Sequence, residues 1–182
     1  MKLGRYLLLV GSIGVILVGA IGSKAAASAS TPAEDDHPTH VLQFDTLLGN
    51  RAPFIGPAGS VRIVPAAPLP WVIHSVHGAL DKNGQLNVDV DGLVLANDPS
   101  VPPSLRGTNP VPFFAAVVSC RTGSGGAIVT SNVMTNNFPA TMPTGNAQIH
   151  QKLTLPHPCV APVILVTSPG PSGFVWFAVT GS

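Results

Sequence analysis

Residues 71–91, WVIHSVHGALDKNGQLNVDVD, carry the clearest structural pattern in this 182-residue chain. An apolar run ends at Leu80 and is followed by Asp-Lys-Asn-Gly at 81–84, which favours a tight turn because Asn and Gly tolerate a left-handed backbone. After the turn, apolar and polar side chains alternate. One face holds Leu86, Val88 and Val90, and the other holds Gln85, Asn87, Asp89 and Asp91. This period of two predicts a β-hairpin with one buried face and one solvent-exposed face.

The chain after Val41 repeats this pattern. Short β-branched and aromatic runs are separated by Gly, Pro, Asn and Asp, and 19 prolines interrupt any helical period of useful length. The candidate strands are 41–48, 60–64, 71–80, 85–95, 113–120, 127–134, 147–155, 160–167 and 173–180. They predict one all-β domain at 41–182, a two-sheet β-sandwich of Greek-key or immunoglobulin-like type, with a small β-barrel as the alternative.

The first 29 residues have the layout of a secretory signal peptide. Lys2 and Arg5 are positive, residues 6–21 are uncharged and mostly apolar, and small residues at 25–29 offer A-x-A cleavage sites. An uncleaved membrane anchor is the alternative, but this apolar run is shorter than the roughly 20 residues that cross a bilayer. We therefore expect 1–29 to be removed and the product to be secreted, without stable membrane insertion. Residues 30–40 are polar and aperiodic, which is typical of a flexible tail.

Charge is sparse throughout the sequence. Charged residues make up 9% of the chain, against a usual share of about a quarter. Removal of 1–29 leaves six Lys and Arg against eight Asp and Glu. No basic patch is present to bind a phosphate backbone, which argues against nucleic acid as a partner. A protein or an uncharged cell-surface polymer fits this composition better.

The two cysteines are Cys120 and Cys159. An even number in an exported protein favours a disulfide. The bond would close a loop of about 40 residues and contribute roughly 4 kcal/mol in the chain-entropy model. Two separate buried thiols are the alternative.

A partial calcium-binding pattern follows the hairpin turn. Asn87, Asp89, Asp91, Gly92 and Asp98 match the oxygen-ligand, glycine and final carboxylate positions of a calcium loop. Strand alternation produces the same spacing, however, and side chains on one face of a strand cannot wrap around an ion. Asn87, Asp89 and Asp91 are therefore weak candidates for metal ligands, and no cofactor is expected.

The histidines also fall short of a metal site. His37 and His40, beside two aspartates in the tail, could chelate copper or nickel, but without a preformed site that binding would be weak. His74 and His77 are three residues apart, which on a strand sends the two rings to opposite faces.

Catalytic motifs are absent from the sequence. Gly123-Ser124-Gly125-Gly126 departs from G-x-S-x-G and is better interpreted as a turn between strands. Trp71 and Trp176 lie in apolar runs, which favours core packing over a sugar-stacking platform. Residues 97–112 hold five prolines and form either a connector between sheets or a functional loop.

Several segments of the domain resemble a group of uncharacterised secreted bacterial proteins with a C-terminal all-β domain and one cysteine pair. The resemblance spans most of 41–182 and implies a secreted domain in which Cys120 and Cys159 are paired. No activity or catalytic residue is assigned to the group, so none is implied here. The segments are LPWVI (69–73), GLVL (92–95), RGTNPVPFF (106–114), VSC (118–120), FPA (138–140), GNA (145–147), LPHPCVAP (155–162) and WFAVTG (176–181).

Together these patterns predict a secreted, extracellular β-sandwich module that binds a partner or has a structural role. It is not expected to be an enzyme. The alternative is a small secreted enzyme or metal-binding protein on the same scaffold.

Overall fold

The computed structural model describes residues 40–170 and 173–181. The predicted signal peptide, His37 and all of the predicted tail except His40 lie outside these residues. Within them the chain is all-β, as predicted, with two short 3-10 helices at Gly56–Gly59 and Pro103–Leu105. The strands are β1 His40–Phe44, β2 Leu47–Gly49, β3 Trp71–Val72, β4 Ser75–Asp81, β5 Gln85–Asp91, β6 Val94–Leu95, β7 Phe113–Ser124, β8 Ala127–Met134, β9 Phe138–Pro139, β10 Ala147–Lys152, β11 Val160–Gly170 and β12 Gly173–Thr180.

The strands form antiparallel sheets. Sheet A has the order β1-β4-β5-β10, sheet B has the order β2-β12-β11-β7-β8, and β9 also pairs with β7. The short strands β3 and β6 pair with each other. No sheet in the described part of the chain closes on itself, so the small barrel considered as the alternative is not formed.

The predicted hairpin is confirmed as β4 and β5. Leu80 pairs with Leu86 across the turn, and Gly84 adopts the left-handed conformation with φ of 83°. The Asp81 carboxylate caps the turn by accepting hydrogen bonds from the backbone N–H groups of Asn83 and Gln85, both at 2.8 Å. Along β5 the apolar positions are buried and the polar ones face solvent, as the alternation predicts.

Sheets A and B contribute to one buried core. Sheet A supplies Leu80 and Leu86, and sheet B supplies Phe114 and Ile164. Trp71 joins this core, with its ring stacked on that of Phe177 at a centroid distance of 4.0 Å and an interplanar angle of 22°. Trp71 is therefore a packing residue, as expected, because its ring face is covered by another aromatic ring.

The predicted disulfide between Cys120 and Cys159 is present, with a Cα–Cα distance of 4.9 Å. Cys120 lies in β7 and is fully buried. Cys159 directly precedes β11, the neighbour of β7 in sheet B. The cystine thus joins two adjacent strands of sheet B at the point where β11 begins.

The prediction of a strand at 60–64 is wrong. Val61 and Val64 exchange two backbone hydrogen bonds, and between them Arg62 and Ile63 have positive φ angles of 46° and 68°. The Arg62 guanidinium donates to the carbonyl oxygens of Ser119 at 2.6 Å and Ala161 at 2.7 Å. A tight turn forms instead of a strand because these contacts with sheet B hold it in place.

Other predicted strands are divided. The segment 71–80 is interrupted at 73–74 and the segment 85–95 at 92–93, where the chain leaves sheet A and forms the β3–β6 pair. Gly92 makes the second break possible, because its φ of 68° is unfavourable for residues with a side chain. At the other end of the domain, β1 begins at His40, one residue before the predicted boundary.

Ile63→Gly is expected to stabilise the fold by about 1 kcal/mol, because a β-branched residue in the left-handed region carries strain that glycine relieves. The Ile63 side chain is 80% exposed, so little buried area is lost. Urea unfolding followed by circular dichroism measures the change. Ile63→Ala, which removes the side chain but keeps a Cβ at positive φ, should gain less. A loss of stability in the glycine variant would contradict the inference that the backbone at Ile63 is strained.

Candidate binding groove

A cavity of about 800 Å³ opens between β2, the chain that follows it, and β3. We call it the apolar groove. Trp71, Trp176 and the three residues of β2 are among the residues that line it. The lining residues are Leu47, Leu48, Gly49, Asn50, Arg51, Phe54, Ala58, Gly59, Ser60, Val61, Pro70, Trp71, Val72, Ile73, Ala96, Asp98, Trp176 and Val179.

A buried asparagine builds one wall of the groove. The Asn50 side-chain amide donates to the carbonyl oxygens of Ala67 at 2.8 Å and Leu69 at 3.1 Å. Its side-chain oxygen accepts from the backbone N–H of Trp71 at 3.0 Å. Because buried polar groups need partners, Asn50 helps to satisfy these three backbone groups. The Ala67 carbonyl also accepts from the backbone N–H of Gly56, and the Trp71 N–H also donates to the Asn50 backbone carbonyl. The end of β2 is thereby tied to the start of β3.

Gly49 allows the two strands to approach this closely. A Cβ at position 49 would collide with the backbone carbonyl of Trp71. A backbone carbonyl cannot move aside as the end of a flexible side chain can. The sequence Gly49-Asn50 therefore sets both the spacing and the hydrogen bonding of this wall.

Large apolar side chains remain exposed around the opening. Leu48 is 63% exposed, Phe54 is 62% exposed and Val72 is 48% exposed. Leu48 alternates with the buried Leu47, and Val72 with the buried Trp71, so the short strands β2 and β3 are apolar on both faces. Exposed apolar residues that cluster at a concavity are typical of binding sites, whereas isolated ones are common on any surface.

Charge at the groove is limited to Arg51, which is exposed, and Asp98. Asp98 is engaged in its own turn. The Ser100 hydroxyl and backbone N–H donate to its carboxylate at 2.6 and 2.9 Å. These hydrogen bonds, with a further contribution from Arg106, hold the pKa of Asp98 below its ordinary value. The start of the proline-rich loop 97–112 thus borders the groove as an ordered segment.

The polar face of sheet A collects most of the candidate metal residues. Asn87, Asp89 and Asp91 project from the exposed side of β5. His77 is the register partner of Asp89 on β4, and His150 Nε2 lies 3.0 Å from Asp89 Oδ1. In the described residues, no three His, Cys, Asp or Glu side chains are grouped so that they could hold a metal ion.

The fold does not bring the residues of the calcium-binding pattern together. Asp89 and Asp91 line a separate cavity of about 590 Å³ on sheet A, whereas Asp98 lines the apolar groove. The chain passes through β6, outside sheet A, between these positions. Asn87, Asp89 and Asp91 therefore stay on one strand face, as the alternation predicts.

The remaining histidine candidates are separate from one another. His40 begins β1 and is exposed, and His37 is outside the described residues. His74 and His77 are both exposed, because His74 lies before β4 begins at Ser75 and the alternation expected for one strand does not apply to the pair.

Sequence patterns did not point to the groove. Leu48 and Phe54 occur in apolar or loop segments like many others, and only their exposure distinguishes them. Asn50 gave no signal, since Asn between apolar runs ordinarily marks a surface turn.

The part of the chain that the structure describes contains no helix with the length and hydropathy needed to cross a membrane. Comparison of the chain with protein-family models, with curated proteins and with solved structures found no match.

Proposed function

We propose that this protein is an exported binding module in which a β-sandwich presents the apolar groove to a partner. The observation that carries the proposal is the cluster of exposed Leu48, Phe54 and Val72 around one concavity. Burying such side chains against a partner is favourable at about 25 cal/mol per Å² of apolar surface.

The shared core supports the sandwich architecture. Residues from sheets A and B meet in one buried cluster, which is what two sheets packed face to face produce. The chain also alternates between the sheets, from β5 in sheet A to β7 and β8 in sheet B, then to β10 in A and β11 in B. Such crossings are characteristic of Greek-key sandwiches.

Export is supported by the cystine and by the layout of residues 1–29. A disulfide persists in oxidising compartments and is rare where thiols are kept reduced. The resemblance to secreted bacterial proteins agrees with this location. We propose the cell surface or the surrounding medium as the site of action.

The chemistry of the groove favours an uncharged, apolar segment as the ligand. Its rim offers aliphatic and aromatic side chains, and Asp98 is occupied by Ser100. The best-suited partner is a protein or cell-surface polymer that inserts an apolar group. The alternative, an enzyme or metal protein, rests on the His150–Asp89 pair beside His77 on the exposed face of sheet A. Its exposure to water makes it a poorer site for catalysis.

Leu48→Lys is expected to weaken binding of an uncharged apolar probe at the groove. We would titrate the purified protein with Nile red, whose emission rises on transfer from water to an apolar site. The wild type should bind with saturation. The variant should bind at least about tenfold more weakly, because an ammonium in the groove must be desolvated when the dye binds. Its melting temperature should be unchanged, since Leu48 is mostly exposed.

Ile128→Lys is the matched control, because Ile128 is a similarly exposed aliphatic residue outside the groove. It should bind the dye like the wild type. A displayed peptide library then tests the ligand class: selected peptides should be apolar and uncharged, and should lose binding to Leu48→Lys. Equal dye binding by all three proteins, or selection of charged peptides, would refute the proposal.

A further inference from the structure

Most outer strands of sheets A and B are protected against pairing with another chain. The strand β2 has only three residues, and β1 has a register irregularity between His40 and Leu42. The edge strand β10 ends at Lys152. Next to that end, the backbone N–H of Asn136 donates to the side-chain oxygen of Gln151 at 2.8 Å. Short length, irregularity, a terminal lysine and coverage are the usual devices that prevent edge-to-edge association.

The strand β8 lacks all of these devices. Its eight residues, AIVTSNVM, contain no charge, proline or glycine, and every one pairs with β7. Its other edge has no strand partner among residues 40–170 and 173–181. Ile128 is 76% exposed and Met134 is 37% exposed on this strand. A long, regular and uncharged edge is a template for a further strand.

We propose that β8 is a self-association surface, at which two copies of the chain pair antiparallel and join their B sheets into one. A second copy is the occupant that this strand fits, because β8 complements itself. A two-fold axis perpendicular to the sheet leaves each face on its own side, so only residues that share a face can pair.

The faces of β8 follow from its contacts. Val133 packs against the core, so Val129 and Ser131 share the inner face. Ile128, Thr130, Asn132 and Met134 then lie on the outer face. With the axis at Ser131, Val129 faces Val133 of the second copy, Ile128 faces Met134 and Thr130 faces Asn132. Apolar side chains meet apolar ones and polar meet polar.

The neighbouring register is poorer. With the axis at Thr130, Ile128 would face Asn132 and Val129 would face Ser131. Cross-strand pairs are the unit of sheet stabilisation, so the register centred on Ser131 is preferred. No like charges oppose each other in it, since the strand carries none.

The strained turn at 61–64 lies beside this surface. The Arg62 carbonyl accepts a hydrogen bond from the Asn132 side chain at 3.0 Å, on the outer face of β8. The next residue, Ile63, is held at positive φ with its side chain in solvent. A strained, exposed isoleucine is unfavourable in an isolated copy, and strain of this kind is retained at functional positions. Ile63 enlarges the apolar surface next to β8.

Sedimentation velocity over a range of concentrations tests the proposal on the purified protein. The wild type should show a monomer–dimer equilibrium. Ile128→Lys and Met134→Glu should each weaken dimerisation about tenfold or more, because each change alters two symmetric cross-strand pairs. Leu48→Lys, at the groove, should leave the equilibrium unchanged, which separates this surface from the proposed ligand site.

The double variant Ile128→Lys with Met134→Glu tests the register. In the proposed pairing each introduced lysine faces an introduced glutamate of the other copy, so dimerisation should recover and become salt-sensitive. Circular dichroism checks that all variants keep the β fold. A protein that stays monomeric at the highest attainable concentration overturns the proposal, as does association that survives Ile128→Lys, is lost in Leu48→Lys, or is not restored in the double variant.

Discussion

Replacing Cys120 and Cys159 together by alanine is expected to lower the free energy of unfolding by about 4 kcal/mol. The disulfide joins residues 39 positions apart, and opening a loop of that size restores about this much conformational entropy to the unfolded chain. Since whole domains are stable by only 5–15 kcal/mol, this change should shift the urea midpoint strongly. Equilibrium unfolding, followed by circular dichroism, provides the measurement.

Reduction of the wild type supplies the control for this experiment. Dithiothreitol opens the loop but keeps both sulfur atoms as thiols, whereas the double alanine variant also removes a buried sulfur atom from β7. The variant should therefore be slightly less stable than the reduced wild type. A loss below about 1 kcal/mol in both samples would show that loop closure contributes little to this fold.

Asn50→Leu is expected to destabilise the fold by about 2 kcal/mol and to weaken probe binding at the groove. The substitution keeps a similar branched side-chain shape but removes the amide that donates to the Leu69 carbonyl, while the Ala67 carbonyl keeps its hydrogen bond from the Gly56 N–H. Each buried polar group left without a partner costs about 1–3 kcal/mol. Urea unfolding and Nile red titration measure the two effects.

Asn109→Leu is the matched control for Asn50→Leu. Asn109 is also buried, and its amide donates to the carbonyl oxygens of Val111 at 2.8 Å and Thr141 at 3.1 Å, away from the groove. We expect a comparable loss of stability with unchanged dye binding. If Asn50→Leu were as stable as the wild type, or if both variants bound dye equally, Asn50 would not be what shapes the groove.

Local patterns in the sequence predicted much of the fold. The β4–β5 hairpin follows from strict alternation together with an Asn-Gly turn, both of which act over a few residues. The all-β class follows from proline and glycine spacing, and the disulfide from the cysteine count in a chain predicted to be exported. The strand predicted at 60–64 failed because the hydrogen bonds of Arg62 with Ser119 and Ala161 outweigh the strand preference of its valines and isoleucine.

The apolar groove could not be predicted, for a related reason. Leu48 and Trp71 belong to equally apolar segments, yet one is exposed and the other is stacked on Phe177. The hydropathy of a residue predicts that its side chain favours burial, but it does not predict which other segments will cover that side chain. The choice depends on strands far apart in sequence, here β2, β3 and β12.

The amino-acid sequence by itself determined the all-β class, the main hairpin and the cysteine pair, because period, turn chemistry and cysteine number are properties of neighbouring or countable residues. Only the tertiary structure decided which apolar side chains stay exposed, where Asn50 finds its partners and which edge strand is left open. Those outcomes depend on contacts between distant segments, and they form only when the sheets come together.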